Sequence, residues 1–226
     1  MTGNFKGFLI FTTIIIVHEL GHILMAKYYK WKIEKVMLLP FGALTIFHEK
    51  INRPLKEEFL IAISGPLFQI MGVYIYIRFN YNEFIINYSN FILIFNLLPI
   101  YPLDGSKILN VILNKLTSFK RSHLFTVYIS FLIIIIIILK VKFNLILTMI
   151  LLFIFIKVMD EYKNHNNIFN KFLFERYNND FTFKKRKMIN SIYKMKRDYN
   201  HLFYNGNKYE TEREILKKRF DFKRKI

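Results

Sequence analysis

The chain is constrained most by His18-Glu19-Leu20-Gly21-His22, three ionisable side chains in a stretch that is otherwise almost wholly apolar from Phe8 to Ala26. A run of that length and composition is expected to cross a membrane as a helix, and ionisable groups inside such a helix are costly and carry function. On a helix His18 and His22 stand four residues apart on one face. Both imidazoles therefore reach a single cation, with Glu19 beside them. Two neutral imidazoles, a third protein ligand and a water make a tetrahedral zinc site, and a neighbouring glutamate takes a proton from that water. The pattern predicts the chemistry of a zinc hydrolase inside the bilayer.

Composition supports membrane insertion: 53% of the 226 residues are hydrophobic. The 34 Lys and Arg against 16 Asp and Glu give a formal charge of +18. Basic residues gather at segment ends and beyond residue 156, where 19 Lys and Arg face 9 Asp and Glu. With no cysteine, disulfides and thiolate ligands are excluded, so a transition-metal site must use histidine and carboxylate. The N-terminus has no basic region before its apolar run and no small-residue cleavage site, which predicts a retained span.

Read in order, the first span covers about 5–28, and the lysines at 27, 30, 32 and 35 place its far end on the cytoplasmic side. Residues 31–48 alternate and then turn apolar around Pro40 and Gly42, predicting two short strands and a turn that must lie against helices or line a wet cavity. The polar stretch 48–58 follows as a connection, its His48 and Glu49 needing no metal to account for them. A second span covers about 59–79 with Ser64-Gly65-Pro66 near its start, small residues that let helices approach closely. Residues 80–90 carry no Lys or Arg and fit the opposite side. A third span begins near residue 91 and is broken by Asn96-Leu97-Leu98-Pro99-Ile100-Tyr101-Pro102-Leu103-Asp104-Gly105. Broken backbone at membrane depth is tolerated only where it packs in protein or borders water. After an amphipathic stretch at 108–116 and a basic loop at 120–123, two further spans are expected at about 124–139 and 143–159.

Asp104 emerges by elimination as the third ligand. Of the acidic residues before 157, Glu34, Glu49, Glu57, Glu58 and Glu83 fall in polar connections, leaving Glu19 and Asp104 in apolar surroundings. An aspartate before Gly-Ser-Lys is also a helix N-cap, the competing role for Asp104. The Asn96 amide is placed to hold substrate backbone or a developing oxyanion, or else to bond the broken helix turn. The last 70 residues interleave Tyr and Phe with Lys and Arg. They read as a cytoplasmic tail drawn to anionic lipid headgroups, with nucleic acid not expected as a partner. Asn205-Gly206-Asn207 predicts a turn, and Thr211 with Glu214 a capping-box start to a closing helix.

These residues resemble the site-2 protease (M50-type) family of intramembrane zinc metalloproteases, which pair a His-Glu-x-x-His helix with a later Asp-Gly motif. Leu38-Leu39-Pro40-Phe41-Gly42, Asn52-Arg53-Pro54-Leu55-Lys56-Glu57-Glu58, Gly65-Pro66-Leu67 and the 96–105 stretch extend the resemblance to the sporulation type within that family, over about residues 8–178. That type cleaves a membrane-associated pro-sigma factor. The resemblance implies that His18, His22 and Asp104 bind Zn2+, that Glu19 activates water, and that Asn96 contacts substrate. It further implies a hairpin that pairs with an unwound substrate segment, membrane inhibitor proteins as partners, and a bacterial cell membrane location such as the membrane around the forespore. Ser106 stands where a second glycine is usual, the helix that often precedes the motif helix is not seen, and the tail is shorter than a paired nucleotide-sensing module, so nucleotide regulation is not expected.

The expected fold is a polytopic α-helical membrane protein with about five transmembrane helices, a small membrane-associated β-hairpin and a short cytoplasmic tail. Residues 1–160 form the transmembrane metalloprotease domain and 161–226 the basic tail, with the N-terminus outside and the C-terminus inside. Two alternatives stand beside pro-sigma processing: cleavage of an anti-sigma factor or signal-peptide remnant, and a metal-binding membrane scaffold without hydrolysis.

Overall fold

A computed structural model describes residues 5–39, 42–47, 51–79, 82–140, 144–179, 181–204, 206 and 208–221. The expected turn at Pro40 and Phe41, the pair His48 and Glu49, and Asn205 and Asn207 lie outside these residues. Helix α1 (Phe5–Tyr28) carries the histidines and leads into a hairpin of β1 (Ile33–Leu39) and β2 (Gly42–Phe47). The strands pair antiparallel, Val36 opposite Thr45 and Leu39 opposite Gly42, with an irregularity between Ile33 and Lys35. Helix α2 (Leu55–Phe79) returns alongside α1, and α3 (Glu83–Leu97), α4 (Asp104–Leu116), α5 (Phe119–Lys140) and α6 (Leu145–Asn178) follow.

Only three helices among the described residues are long and apolar enough to cross a membrane: Lys6–Tyr28, Leu55–Phe79 and Phe119–Lys140. This corrects the expectation of five. Helix α3 has 15 residues, a rise of about 22 Å, which falls short of the roughly 30 Å of hydrocarbon. It ends just before Pro99, which disfavours helix at the residue ahead of it. Helix α6 is long, but Lys157, Asp160 and Glu161 interrupt its apolar part, and charge within a span is what bilayers resist. With three such helices among the described residues, the chain has the architecture of a multi-pass membrane protein. The stretch 120–123, expected as a loop, forms the first turn of α5.

The segment expected as a short tail is folded. Helix α6 runs unbroken past residue 160 to Asn178, and the chain then forms a sheet ordered β3 (Lys185–Ile189), β4 (Tyr199–Tyr204), β5 (Tyr209–Thr211), closed by α7 (Glu212–Asp221). Strand β3 is parallel to β4, while β5 is antiparallel to it. Gly206, between β4 and β5, has φ +78°, the left-handed region that glycine enters without steric cost. Thr211 and Glu214 form the expected capping box: the Thr211 N–H donates to the Glu214 carboxylate at 2.8 Å, and the Glu214 N–H to Thr211 Oγ1 at 3.4 Å. Phe169, Phe172 and Leu173 of α6 pack with Ile189, Met195, Phe203 and Leu216, and Phe119 at the start of α5 joins them.

A buried polar network ties this unit to the segment between β2 and α2. Arg176 donates to the Glu212 carboxylate at 2.9 Å, to Asn52 Oδ1 at 2.6 Å and to the Lys196 carbonyl at 3.0 Å. Glu175 accepts from the backbone N–H groups of Ile51 and Asn52, both at 3.1 Å. Arg176→Ala strands the half-buried Glu212 carboxylate and two acceptors, and is expected to cost about 3–5 kcal/mol in the stability of this unit, read by limited proteolysis in denaturant. Burial alone pushes the Glu212 carboxyl up, but the hydrogen bond from His201 and the charge of Arg176 outweigh it and hold the group below its ordinary range. A carboxylate depressed in the folded state stabilises fully above its unfolded pKa and loses that contribution as pH falls through the lower folded value. The same assay is therefore expected to show the unit opening on acidification, and Glu212→Gln to flatten that dependence.

Candidate metal centre

His18, His22 and Asp104 meet in the interior, 2%, 3% and 5% exposed. The two Nε2 atoms are 3.2 Å apart, and Asp104 Oδ2 lies 2.9 Å from that of His18 and 3.0 Å from that of His22. The remaining ring nitrogens fix the tautomers. His22 Nδ1 is 2.7 Å from the Ile61 carbonyl, which can only accept. His18 Nδ1 is 2.8 Å from Gln69 Oε1. The Gln69 amide is oriented in turn by donating to the Ser89 carbonyl at 2.8 Å and Ser89 Oγ at 2.9 Å. Both Nδ1 atoms thus carry the proton, and both Nε2 lone pairs face the Asp104 oxygen.

With both Nε2 atoms unprotonated, three lone pairs converge and repel one another unless a proton or a metal cation lies between them. Bonds of about 2.0–2.1 Å to tetrahedral zinc put ligand atoms about 3.3 Å apart, close to the separations seen. Two imidazoles and a carboxylate, each held from behind by a hydrogen-bond partner, fit a zinc-binding site. Gln69→Leu removes the acceptor that fixes His18 and is expected to weaken zinc affinity 10–100-fold, measured by competition with a chromogenic chelator.

The local sequence explains how these groups arrive. The 98–103 segment breaks the helix between α3 and α4, its backbone held by the Tyr101 N–H donating to Ser130 Oγ at 3.0 Å and by the buried Ile100 side chain. Asp104 then opens α4 and caps nothing: Leu103 holds the cap position and makes no side-chain bond there. Its second oxygen accepts from Lys107 Nζ at 3.0 Å. A Cβ on Gly105 would stand 2.1 Å from the Leu97 carbonyl oxygen, so only glycine lets α4 start this close to the end of α3. On α2, a Cβ on Gly65 would stand 2.3 Å from His22 Nε2.

Glu19, adjacent to His18 on α1, is buried and accepts a hydrogen bond from Thr45 Oγ1 of β2 at 2.5 Å. Asn96, in the last turn of α3, is half-buried, and its side chain makes no hydrogen bond to the cluster. Sequence reasoning missed Gln69 and Thr45. Gln69 had a signal, since it is a lone amide in an apolar span and such residues are seldom idle; Thr45 had none, because its partner is 26 positions away. Beside Lys107 opens a cavity of about 310 Å³ whose polar lining includes Glu58, Tyr101, Asn110, His123 and Glu161.

Comparison with known proteins agrees with this geometry. The model of peptidase family M50 matches residues 6–83, which include both histidines and Glu19. Stage IV sporulation protein FB of Bacillus subtilis is 40% identical over 131 residues, 54% of this chain and 46% of that protein. A zinc metalloprotease of Methanocaldococcus jannaschii is 36% identical over 126 residues, 51% of this chain and 36% of that one. The matches span less than half the length of these curated relatives. The solved structure of the site-2 protease from Methanocaldococcus jannaschii superposes with a TM-score of 0.53 at 31% identity, over 68% of this chain and 76% of that one. The family match takes in both histidines and Glu19, the solved site-2 protease is 31% identical and three quarters covered, and the chain belongs to peptidase family M50, with the site-2 proteases.

Proposed function

We propose that the protein is a zinc-dependent intramembrane endopeptidase that hydrolyses a peptide bond in or near a membrane-associated segment. The reading rests on the three ligand atoms that converge in a buried site, with a buried carboxylate, Glu19, on the same helix as both histidines. His18, His22 and Asp104 hold the ion, which when bound supplies Lewis-acid polarisation of a carbonyl and makes a nearby water more acidic. Glu19 takes a proton from the attacking water and passes it to the leaving amine, so that a C–O bond forms as the C–N bond breaks. Thr45 Oγ1 holds one Glu19 oxygen and leaves the other free to receive that proton. Lys107 neutralises the outer oxygen of Asp104, and the polar cavity beside it admits water. Asn96 contacts substrate as the scissile segment unwinds, and the β1–β2 hairpin pairs with the extended chain by strand addition.

The substrate we infer is a pro-sigma factor bound at the membrane that surrounds the forespore, with membrane proteins as inhibitors; similarity to a stage IV sporulation protein supports this. The test is incubation of the detergent-purified protein with a tagged candidate precursor, with and without a zinc chelator. A shortened product that vanishes on chelation and returns with added zinc supports the reading. A product indifferent to the chelator, or no product from any membrane-associated precursor, overturns it.

A further inference from the structure

Away from the metal centre, the start of α5 and the folded C-terminal unit enclose a groove of about 860 Å³. Its charged lining is all of one sign: Arg121, Lys187, Lys194 and Lys196, with no carboxylate. Arg121, Lys187 and Lys194 are exposed, and none forms an ion pair among the described residues. Lys196 bridges the two walls, donating from the C-terminal unit to the Leu116 carbonyl at the end of α4 at 2.6 Å. Ser118 also lines the groove, and its buried Oγ has no hydrogen-bond partner. Four cations lining one groove with no carboxylate among them repel until an anion enters.

The position of the groove says which anion. One wall is the turn that opens α5, a membrane-crossing helix, so the groove lies at the level where hydrocarbon gives way to headgroups. The rim carries exposed apolar side chains, Leu116 at 69% and Met188 at 60%, beside the cations. We propose that this groove binds the phosphate headgroup of an acidic phospholipid, with Arg121, Lys187 and Lys194 meeting the phosphate and Leu116 and Met188 resting against the upper acyl chain. The lipid fixes the C-terminal unit against the bilayer at the junction of α4 and α5.

Native mass spectrometry of the full-length protein, released from detergent carrying equal phosphatidylglycerol and phosphatidylcholine with matched acyl chains, tests this. Wild type is expected to retain phosphatidylglycerol in roughly tenfold preference, and Lys187→Gln with Lys194→Gln to bring the two lipids to near parity. Arg121→Gln, a single exposed change outside the packed core, is expected to lower the preference several-fold by itself, so a misfolded double variant still leaves a reading. Equal retention of both lipids by wild type, or an unchanged preference in the variants, overturns the proposal. Displacement of phosphatidylglycerol by free glycerol phosphate would assign the groove to a soluble phosphate, and displacement by a polyglutamate peptide to an acidic protein segment; either result also overturns it.

Discussion

Glu19→Gln is expected to leave one zinc per chain and to slow peptide cleavage about 10²–10⁴-fold, the usual contribution of a general base. The Glu19 side chain forms no hydrogen bond to His18, His22 or Asp104, and Thr45 Oγ1 can donate to the glutamine oxygen as it does to the carboxylate. What is lost is the ability to accept a proton. Zinc content by elemental analysis and product by gel, on the same preparation, separate the two effects. A metal-binding scaffold needs only its ligands and would be untouched by this change, so equal product from variant and wild type would overturn the hydrolytic role of Glu19.

Gly65→Ala is expected to empty the metal site without altering a ligand. The added methyl would stand 2.3 Å from His22 Nε2 and 2.8 Å from His18 Nε2. Neither ring can step aside, because Gln69 and the Ile61 carbonyl hold both from behind. In an isolated helix the same change is favourable by roughly 1 kcal/mol. Here the clash outweighs that preference, and we expect zinc affinity to fall at least as far as the 10–100-fold loss seen when a ligand's support is removed, with cleavage lost alongside. Gly72→Ala is the control on the same helix: its Cβ would press on Val17, with Cγ1 at 2.9 Å, and would meet no metal ligand. Full zinc occupancy in Gly65→Ala would show that the α2 backbone does not form the floor of the site.

Several features of the protein are encoded in local pattern alone. The spacing of His18 and His22 places them on one helix face wherever that helix sits. The alternation over 31–48 and the Thr211–Glu214 box are equally local, and β1, β2 and the start of α7 follow them. Hydropathy also located the three crossing helices. It overcounted spans because a window of apolar residues says nothing of where the backbone breaks or where charges such as Asp160 and Glu161 cut a run short.

The sequence by itself determined which side chains could serve a metal: without cysteine, and with few acids in apolar surroundings, little remained beyond two histidines, Glu19 and Asp104. Only the tertiary structure decided what those groups do to one another. It sets the tautomers through Gln69 and Ile61, binds Glu19 to Thr45 of a hairpin, leaves Asn96 without a hydrogen bond to the cluster, and folds the basic tail into a unit that encloses a cationic groove with α5. Each of these depends on residues from 26 to more than 80 positions apart, brought together by packing that no short-range periodicity encodes.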